Sequence, residues 1–207
     1  MRALFVLVAL AAASCAAGQS QKSDPRAETV IERSRRTTAT YSLFIWNRMP
    51  TGQEPGDGWA AEFHRGTLHR VETPSVRIVA DCAKMTATLL SLAEGTKSTE
   101  PNIAKAACGI AAVEPFEVSE WLGRHETRFG QADRVRVTVS NSVRTYDVLD
   151  NGALVAATYA DHDGVVQLEN RAVALLDTAQ ADIFSEASLE RSAVPEQYKA
   201  APAEPIN

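Results

Sequence analysis

Four histidines are the first candidates for chemistry, because an imidazole can bind a metal or move a proton near neutral pH. They are His64, His69, His125 and His162. A zinc site needs three or four converging ligands. His64 and His69 are five residues apart on a predicted strand, where side chains alternate, so we expect them on opposite faces. The spacing therefore predicts surface or strand-edge histidines and no metal site.

Paired carboxylates are the second candidates. Glu62 with Asp81, and Glu117 with Glu120, are pairs that would suit general acid–base catalysis. Such pairs arise readily in a chain with 26 acidic residues. The sequence has no Gly-x-Ser-x-Gly motif and no glycine-rich phosphate loop after a strand. We therefore predict no catalytic residue and no cofactor, and a hydrolase or metal-dependent enzyme is the less favoured alternative.

The three cysteines indicate the redox state in which the protein folds. Cys15 lies in the export signal described below, which leaves Cys82 and Cys108 as a pair. Two cysteines in an oxidising compartment usually form a disulfide. Closing a loop of this size stabilises a fold by roughly 3–4 kcal/mol in the chain-entropy model. No Cys-x-x-Cys motif occurs, so we predict a structural bridge between Cys82 and Cys108.

The first 18 residues are typical of a secretory signal: Arg2, an apolar stretch over residues 3–13, and small residues up to Gly18. The apolar stretch is too short to span a bilayer, which takes about 20 residues. Cleavage before Cys15 would make this cysteine a lipidated membrane anchor, whereas cleavage after Gly18 would release a chain that begins at Gln19. Both alternatives predict a periplasmic protein, anchored to the outer membrane in the first case.

Length and composition fit one globular domain. The chain has 207 residues, of which 45% are hydrophobic and 23% charged. We assign residues 19–191 to the domain and residues 192–207, with three prolines among alanines, to a flexible tail. The net charge of −5 argues against nucleic acid as a partner. We expect a monomer.

Hydrophobic periodicity predicts an α+β fold. Asp24–Pro25 starts a helix, on which Ala27, Val30, Ile31 and Ser34 share one face. Strands are predicted over residues 38–48, 59–71, 76–82, 85–92 and 121–129, with a short helix over residues 101–108. A three-stranded meander occupies residues 133–177, with tight turns at Asn151–Gly152 and at residues 161–164. The alternation within these strands predicts an antiparallel sheet.

Some predicted strands are apolar on both faces, notably residues 41–46, 153–157 and 172–176. Such strands need cover on both faces. The predicted helices would supply that cover in a packed protein. Alternatively, the sheet curves around an apolar hollow that accepts acyl chains, each buried methylene contributing roughly 0.8 kcal/mol.

The order of these elements resembles that of the bacterial outer-membrane lipoprotein carrier and acceptor proteins, the LolA/LolB-like fold. The local similarity lies in residues 66–70 (Gly-Thr-Leu-His-Arg), residues 73–78 (Thr-Pro-Ser-Val-Arg-Ile) and Asp182–Ile183–Phe184. The resemblance implies a strongly curved antiparallel sheet, an incomplete barrel, with an N-terminal helix and short helices on its concave side. The chain departs from the pattern in residues 85–92, which lack an aromatic residue, and in residues 93–115, which resemble an insertion carrying Cys108.

This resemblance implies reversible, non-catalytic binding of acyl chains or lipoproteins in the periplasm. The candidate lining residues are Leu43, Phe44, Trp46, Val79, Leu154 and Leu175. The alternative is an envelope structural or protein-interaction domain with a packed interior and no small ligand.

Overall fold

The computed structural model describes residues 23–50, 57–110 and 117–202. Its first element is helix α1, Pro25–Arg35. Asp24 caps this helix, since its side chain accepts a hydrogen bond from the backbone N–H of Arg26. The predicted face is the buried one, formed by Ala27, Val30, Ile31 and Ser34. Across the described ranges, no helix has the length and apolarity needed to span a membrane.

In the described ranges, eleven antiparallel strands form one open sheet. They are β1 Tyr41–Arg48, β2 Gly58–Arg65, β3 Leu68–Glu72, β4 Val76–Asp81, β5 Thr86–Ser91, β6 Lys97–Ser98, β7 Val118–Thr127, β8 Gly130–Val139, β9 Ser142–Leu149, β10 Leu154–Ala160 and β11 Val166–Leu176. Their order is β6-β5-β4-β3-β2-β1-β11-β10-β9-β8-β7. The first and last strands therefore meet at the centre. We call β1–β6 the first half-sheet and β7–β11 the second half-sheet.

Strand pairing defines two faces. On one face, directly opposed residues run from Tyr41 through His64 and His69 to Ala80. The same face continues through Asn47, which opposes Asn170, into the second half-sheet, where it carries Ala157, Tyr146 and Val135. We call it the helix face, because both α-helices pack on it, and the other the reverse face.

Helix α1 covers the helix face of the second half-sheet. Its apolar side packs on a cluster that includes Val135, Val137, Tyr146 and Val148. Arg33 donates to Asp133 at 2.7 Å, and the indole N–H of Trp121 donates to the same carboxylate at 3.0 Å. Burial raises the pKa of Asp133, but these two hydrogen bonds outweigh it and hold that pKa below its ordinary value. The carboxylate therefore stays ionised and fixes α1 to the sheet.

Helix α2, Pro101–Ala107, covers the helix face of the first half-sheet. It packs on the cluster of Ile78 and Ala80, and the disulfide between Cys82 and Cys108 joins its end to the end of β4. The predicted bridge and the predicted short helix are both confirmed.

The reverse face of the first half-sheet is covered by the C-terminal segment, residues 181–202. It contains three 3₁₀ helices, Ala181–Phe184, Glu186–Glu190 and Glu196–Tyr198. Tyr198 stacks on Phe44 with ring centres 3.9 Å apart, and Leu189 packs on Val79 and Leu90. This segment is what covers the second face of the apolar strand β1.

A buried ion pair fastens the segment. The side chains of Arg70 and Glu72 are fully buried, and Nε of Arg70 donates to Glu72 at 2.6 Å. The remaining guanidinium nitrogens of Arg70 donate to the carbonyls of Ile183 and Arg191 and to the hydroxyl of Ser188. Because these acceptors all belong to the C-terminal segment, one buried arginine holds several of its residues against the sheet.

The antiparallel sheet with an N-terminal helix is confirmed. The stretch 59–71, predicted as one strand, is instead a hairpin of β2 and β3, turned at Gly66 with φ +61°. Residues 192–202, in which the prolines favoured a loose tail, pack on the reverse face through Val194 and Tyr198. The predictions for residues 1–22, including the signal and Cys15, lie outside the described residues, as do residues 203–207.

Candidate functional site: a cavity at the end of the helix face

A cavity of about 750 Å³ lies where the end of α1 meets the first half-sheet and α2. This volume is within the range of roughly 300–1,000 Å³ that small-molecule sites occupy. Four separate chain segments supply the lining: Glu32 and residues 35–38, Thr67, residues 82, 83 and 85, and Lys105 with Cys108.

The rim is cationic because α1 ends there. Arg35 and Arg36 close the helix, where positive charge is favoured by the helix dipole, and Lys105 belongs to the last turn of α2. Arg35 is held in place by donating to the carbonyl of Ile110 at 2.6 Å, and Arg36 pairs with Glu32 one turn earlier. Among the residues that the structure describes, three cations therefore line the cavity against one carboxylate.

The wall of the first half-sheet is largely apolar. It is formed by Ala83, Met85 and the disulfide of Cys82, which is half-buried, with Cys108, which is buried. Met85 is 47% exposed and has a φ of +51°, an uncommon conformation for a residue with a side chain. Its thioether is a flexible apolar group that adapts to irregular ligands. The cavity therefore joins an apolar wall to a positive rim.

A buried histidine pair lies behind this wall. Nδ1 of His64 and Nε2 of His69 are 2.9 Å apart, and Nδ1 of His69 is 3.2 Å from the carbonyl of Ala107. A carbonyl only accepts, so Nδ1 of His69 carries its proton and Nε2 accepts from His64. Burial, together with the charge of His64, lowers the pKa of His69 to about 3, so His69 is neutral.

This pairing corrects the prediction that His64 and His69 lie on opposite faces at the surface. The Gly66 turn brings them directly opposite each other on the helix face, and both are buried. His125 and His162 lie at the surface as expected, bonded to Asp147 and to the Ser140 carbonyl respectively.

His69, Cys82 and Cys108 offer ligand atoms within 4.8 Å of one another, a spacing compatible with a metal ion. The two sulfurs are bonded to each other, however, and a disulfide lacks the thiolate charge that metals bind.

The carboxylates of Glu62 and Asp81 were considered above as an acid–base pair. Glu62 opposes Leu43 on the helix face, whereas Asp81 opposes Leu68 on the reverse face. The sheet therefore separates the two carboxylates.

The six predicted lining residues divide evenly between the two faces. Leu43 and Leu175 oppose each other on the helix face, and Leu154 packs there against the α1 cluster. Phe44, Trp46 and Val79 are on the reverse face, Phe44 and Val79 beneath the C-terminal segment.

Among the described lining residues of the 750 Å³ cavity, none of these six occurs. Leu43, Phe44 and Val79 are buried in the core, and Trp46, Leu154 and Leu175 are partly buried. Of the residues that line the cavity, the sequence indicated Cys82 and Cys108, as a structural bridge and not as a ligand site.

Comparison with known proteins supports the fold. No protein-family model matches this chain, and no curated protein matches it either. A conserved protein from Thermus thermophilus shares the fold, with 14% identity and a TM-score of 0.55 over 84% of this chain and 97% of the other.

Two further matches are more distant. The MucA/MucB complex of Pseudomonas aeruginosa matches with 11% identity and a TM-score of 0.48, over 82% of this chain and 63% of the other. An outer membrane lipoprotein-sorting protein domain from Vibrio parahaemolyticus matches with 11% identity and a TM-score of 0.40, over 79% and 97%.

Proposed function

We propose that this chain is an exported protein that binds an acyl-chain amphiphile, a lipid or an acylated protein, reversibly and without catalysis. The observation that carries the proposal is the 750 Å³ cavity whose wall is apolar and whose rim is cationic. An amphiphile with an anionic head is complementary to both. The bridge of Cys82 and Cys108 supports the oxidising compartment that the leader sequence predicts.

The acyl chain would lie against Met85, Ala83 and the disulfide, where each buried methylene contributes roughly 0.8 kcal/mol. The head would bind Arg36 and Lys105 at the rim through charge-assisted hydrogen bonds. Neither contact forms or breaks a covalent bond, so the ligand leaves whenever another site binds it more tightly.

Native mass spectrometry of the protein from an exporting host tests the proposal. We expect co-purified lipid in the wild type and its loss in Met85→Glu, which places a carboxylate in the apolar wall. Val165→Glu is the matched control, because Val165 is 48% exposed but lies in the β10–β11 turn, away from the cavity. Two outcomes would instead favour an interaction domain without a small ligand. In the first, both variants retain the lipid. In the second, the wild type carries no lipid and does not bind added fatty acid.

A further inference from the structure

The reverse face of the second half-sheet carries a groove that the proposed function does not use. Its volume is about 310 Å³, and its charged lining consists of Arg134, Arg136, Arg171 and Asp147. We name it the arginine groove. Three arginines against one aspartate give a formal charge of +2, whereas the whole chain carries −5. A local positive site on an acidic protein selects for anions.

The strand register places arginines on both sides of a strip of short side chains. Arg134 on β8 and Arg171 on β11 are separated by Asp147 and Ala156, each directly opposed to the next. Three strand spacings amount to about 14 Å. The short side chains of Ala156, Thr145 and Thr158 leave space between them, and Thr145 opposes Thr158. The guanidinium groups thus border a depression whose floor carries two hydroxyl groups.

Arg171 is the arginine of the groove whose side chain has no partner among the residues that the structure describes. The residue is half-buried, and its guanidinium keeps contact with solvent. A bound anion would gain charge-assisted hydrogen bonds from it without displacing a carboxylate. Arg171 also lines the adjoining cavity of about 380 Å³, which shares Arg134, Asp147 and Ala156 with the groove.

The other charges in the groove do not neutralise Arg171. Arg134 donates two hydrogen bonds to Asp147, at 2.7 and 2.8 Å, so this carboxylate is already engaged. Arg136 reaches Glu120 only at 3.5 Å, the limit of a hydrogen bond, with both side chains exposed to solvent. Arg171 therefore has no carboxylate partner, and Arg136 has only this long, solvent-exposed contact to exchange for a ligand.

We propose that the arginine groove binds a phosphate group, through bidentate contacts with Arg171 and Arg136 and hydrogen bonds from Thr145 and Thr158. Guanidinium groups match the geometry of phosphate oxygens, and hydroxyl groups complete such sites. The phosphate belongs either to a free anion or to a lipid headgroup. The proposal is independent of the acyl-chain cavity, which lies on the opposite face of the other half-sheet.

Isothermal titration tests the site with two probes, inorganic phosphate and monomeric dihexanoyl phosphatidic acid, each at low ionic strength. We expect Arg171→Gln to weaken binding about tenfold or more, since a charge-assisted contact is lost. Arg136→Gln, at the exposed rim and without a role in packing, should weaken it as well. Arg65→Gln is the matched control, because Arg65 is an exposed arginine at the end of β2 and should bind as the wild type does.

If the affinity for inorganic phosphate depends on Arg171, a free anion is sufficient as the ligand. If only the affinity for phosphatidic acid depends on Arg171, the ligand is a lipid headgroup. Equal affinities for Arg171→Gln, Arg136→Gln and Arg65→Gln would overturn the proposal. So would the absence of saturable binding of either probe to the wild type. Circular dichroism of each variant shows that the comparison is made between folded proteins.

Discussion

The two half-sheets use the same kind of residue pair in opposite ways. In the first, Arg70 and Glu72 are completely buried beneath the C-terminal segment. In the second, Arg134 and Asp147 lie on the same reverse face, where Asp147 is buried but the Arg134 side chain is 44% exposed. An arginine–carboxylate pair therefore fastens one half of the molecule and leaves a charged surface on the other. Since the residue types are the same in both half-sheets, the role of the pair depends on whether another segment packs over the arginine.

The largest expected effect contrasts these two pairs. Arg70→Met removes the fully buried cation from Glu72, which keeps only its hydrogen bonds from Ser192 and Ala193 and a longer contact with Arg77, and should lower the free energy of unfolding by about 3–5 kcal/mol. Arg134→Met removes a half-exposed arginine, and the buried Asp147 keeps its contact with His125, so the loss should be smaller, about 1–2 kcal/mol. Urea denaturation measures both. Similar losses in the two variants would show that the C-terminal segment does not distinguish the half-sheets energetically.

The disulfide should stabilise the first half-sheet in particular. Replacing Cys82 and Cys108 by alanine should lower the free energy of unfolding by about 3–4 kcal/mol, because the unfolded chain regains the freedom of the 26-residue loop. Hydrogen exchange should accelerate in α2 and little in the second half-sheet. As a control, reductant should destabilise the wild type by a similar amount and leave the double variant unchanged.

Substitution by alanine should destabilise the protein more at Gly109 than at Gly164, because another part of the backbone lies close to Gly109. A Cβ at Gly109 would lie 2.7 Å from the carbonyl oxygen of Ser34, whereas a Cβ at Gly164 would meet nothing within 4 Å. Both have positive φ, so both alanine variants bear a strain of about 1–2 kcal/mol. Gly109→Ala should lose roughly 1–3 kcal/mol more through overpacking. Equal melting temperatures for the two variants would contradict this contact.

A pH dependence should arise from the first half-sheet. The pKa of His69 is lowered by burial to about 3, below its ordinary value of 6.5. The unfolded chain therefore takes up a proton that the fold excludes, and stability falls as the pH drops from about 6.5 toward 3, by up to about 1.4 kcal/mol per pH unit. His69→Gln should remove about 2 kcal/mol of the loss between pH 7 and pH 5. An unchanged slope in urea titrations would show that His69 is protonated in the fold.

Local signals were sufficient for much of the fold. The Asp24 cap and the spacing of Val30 and Ile31 predict α1, and the alternation in β8 follows from having α1 on one side and water on the other. The β2–β3 hairpin was missed because its turn, Arg65–Gly66–Thr67, lacks the Asn-Gly signature that marks the β9–β10 turn. The histidine pair was missed with it.

The candidate site was less predictable, because tertiary packing assembles it. Arg36, Thr67, Met85 and Lys105 are far apart in the sequence and share no pattern. The apolar strands left two interpretations open, cover within a packed protein or the lining of a hollow, and the structure covers Phe44 with Tyr198, more than 150 residues later. A contact of that sequence separation leaves no periodicity that a single sequence can show.

Pairing of β1 with β11 at the sheet centre has a consequence for biosynthesis. Each half-sheet is a series of adjacent hairpins, which close quickly because their partners are near in the chain. The seam between them cannot form until β11 has been made, more than 100 residues after β1, so one edge of β1 stays unpaired over that interval. Closure of this seam joins strands far apart in the sequence and should therefore be slower than formation of either half-sheet.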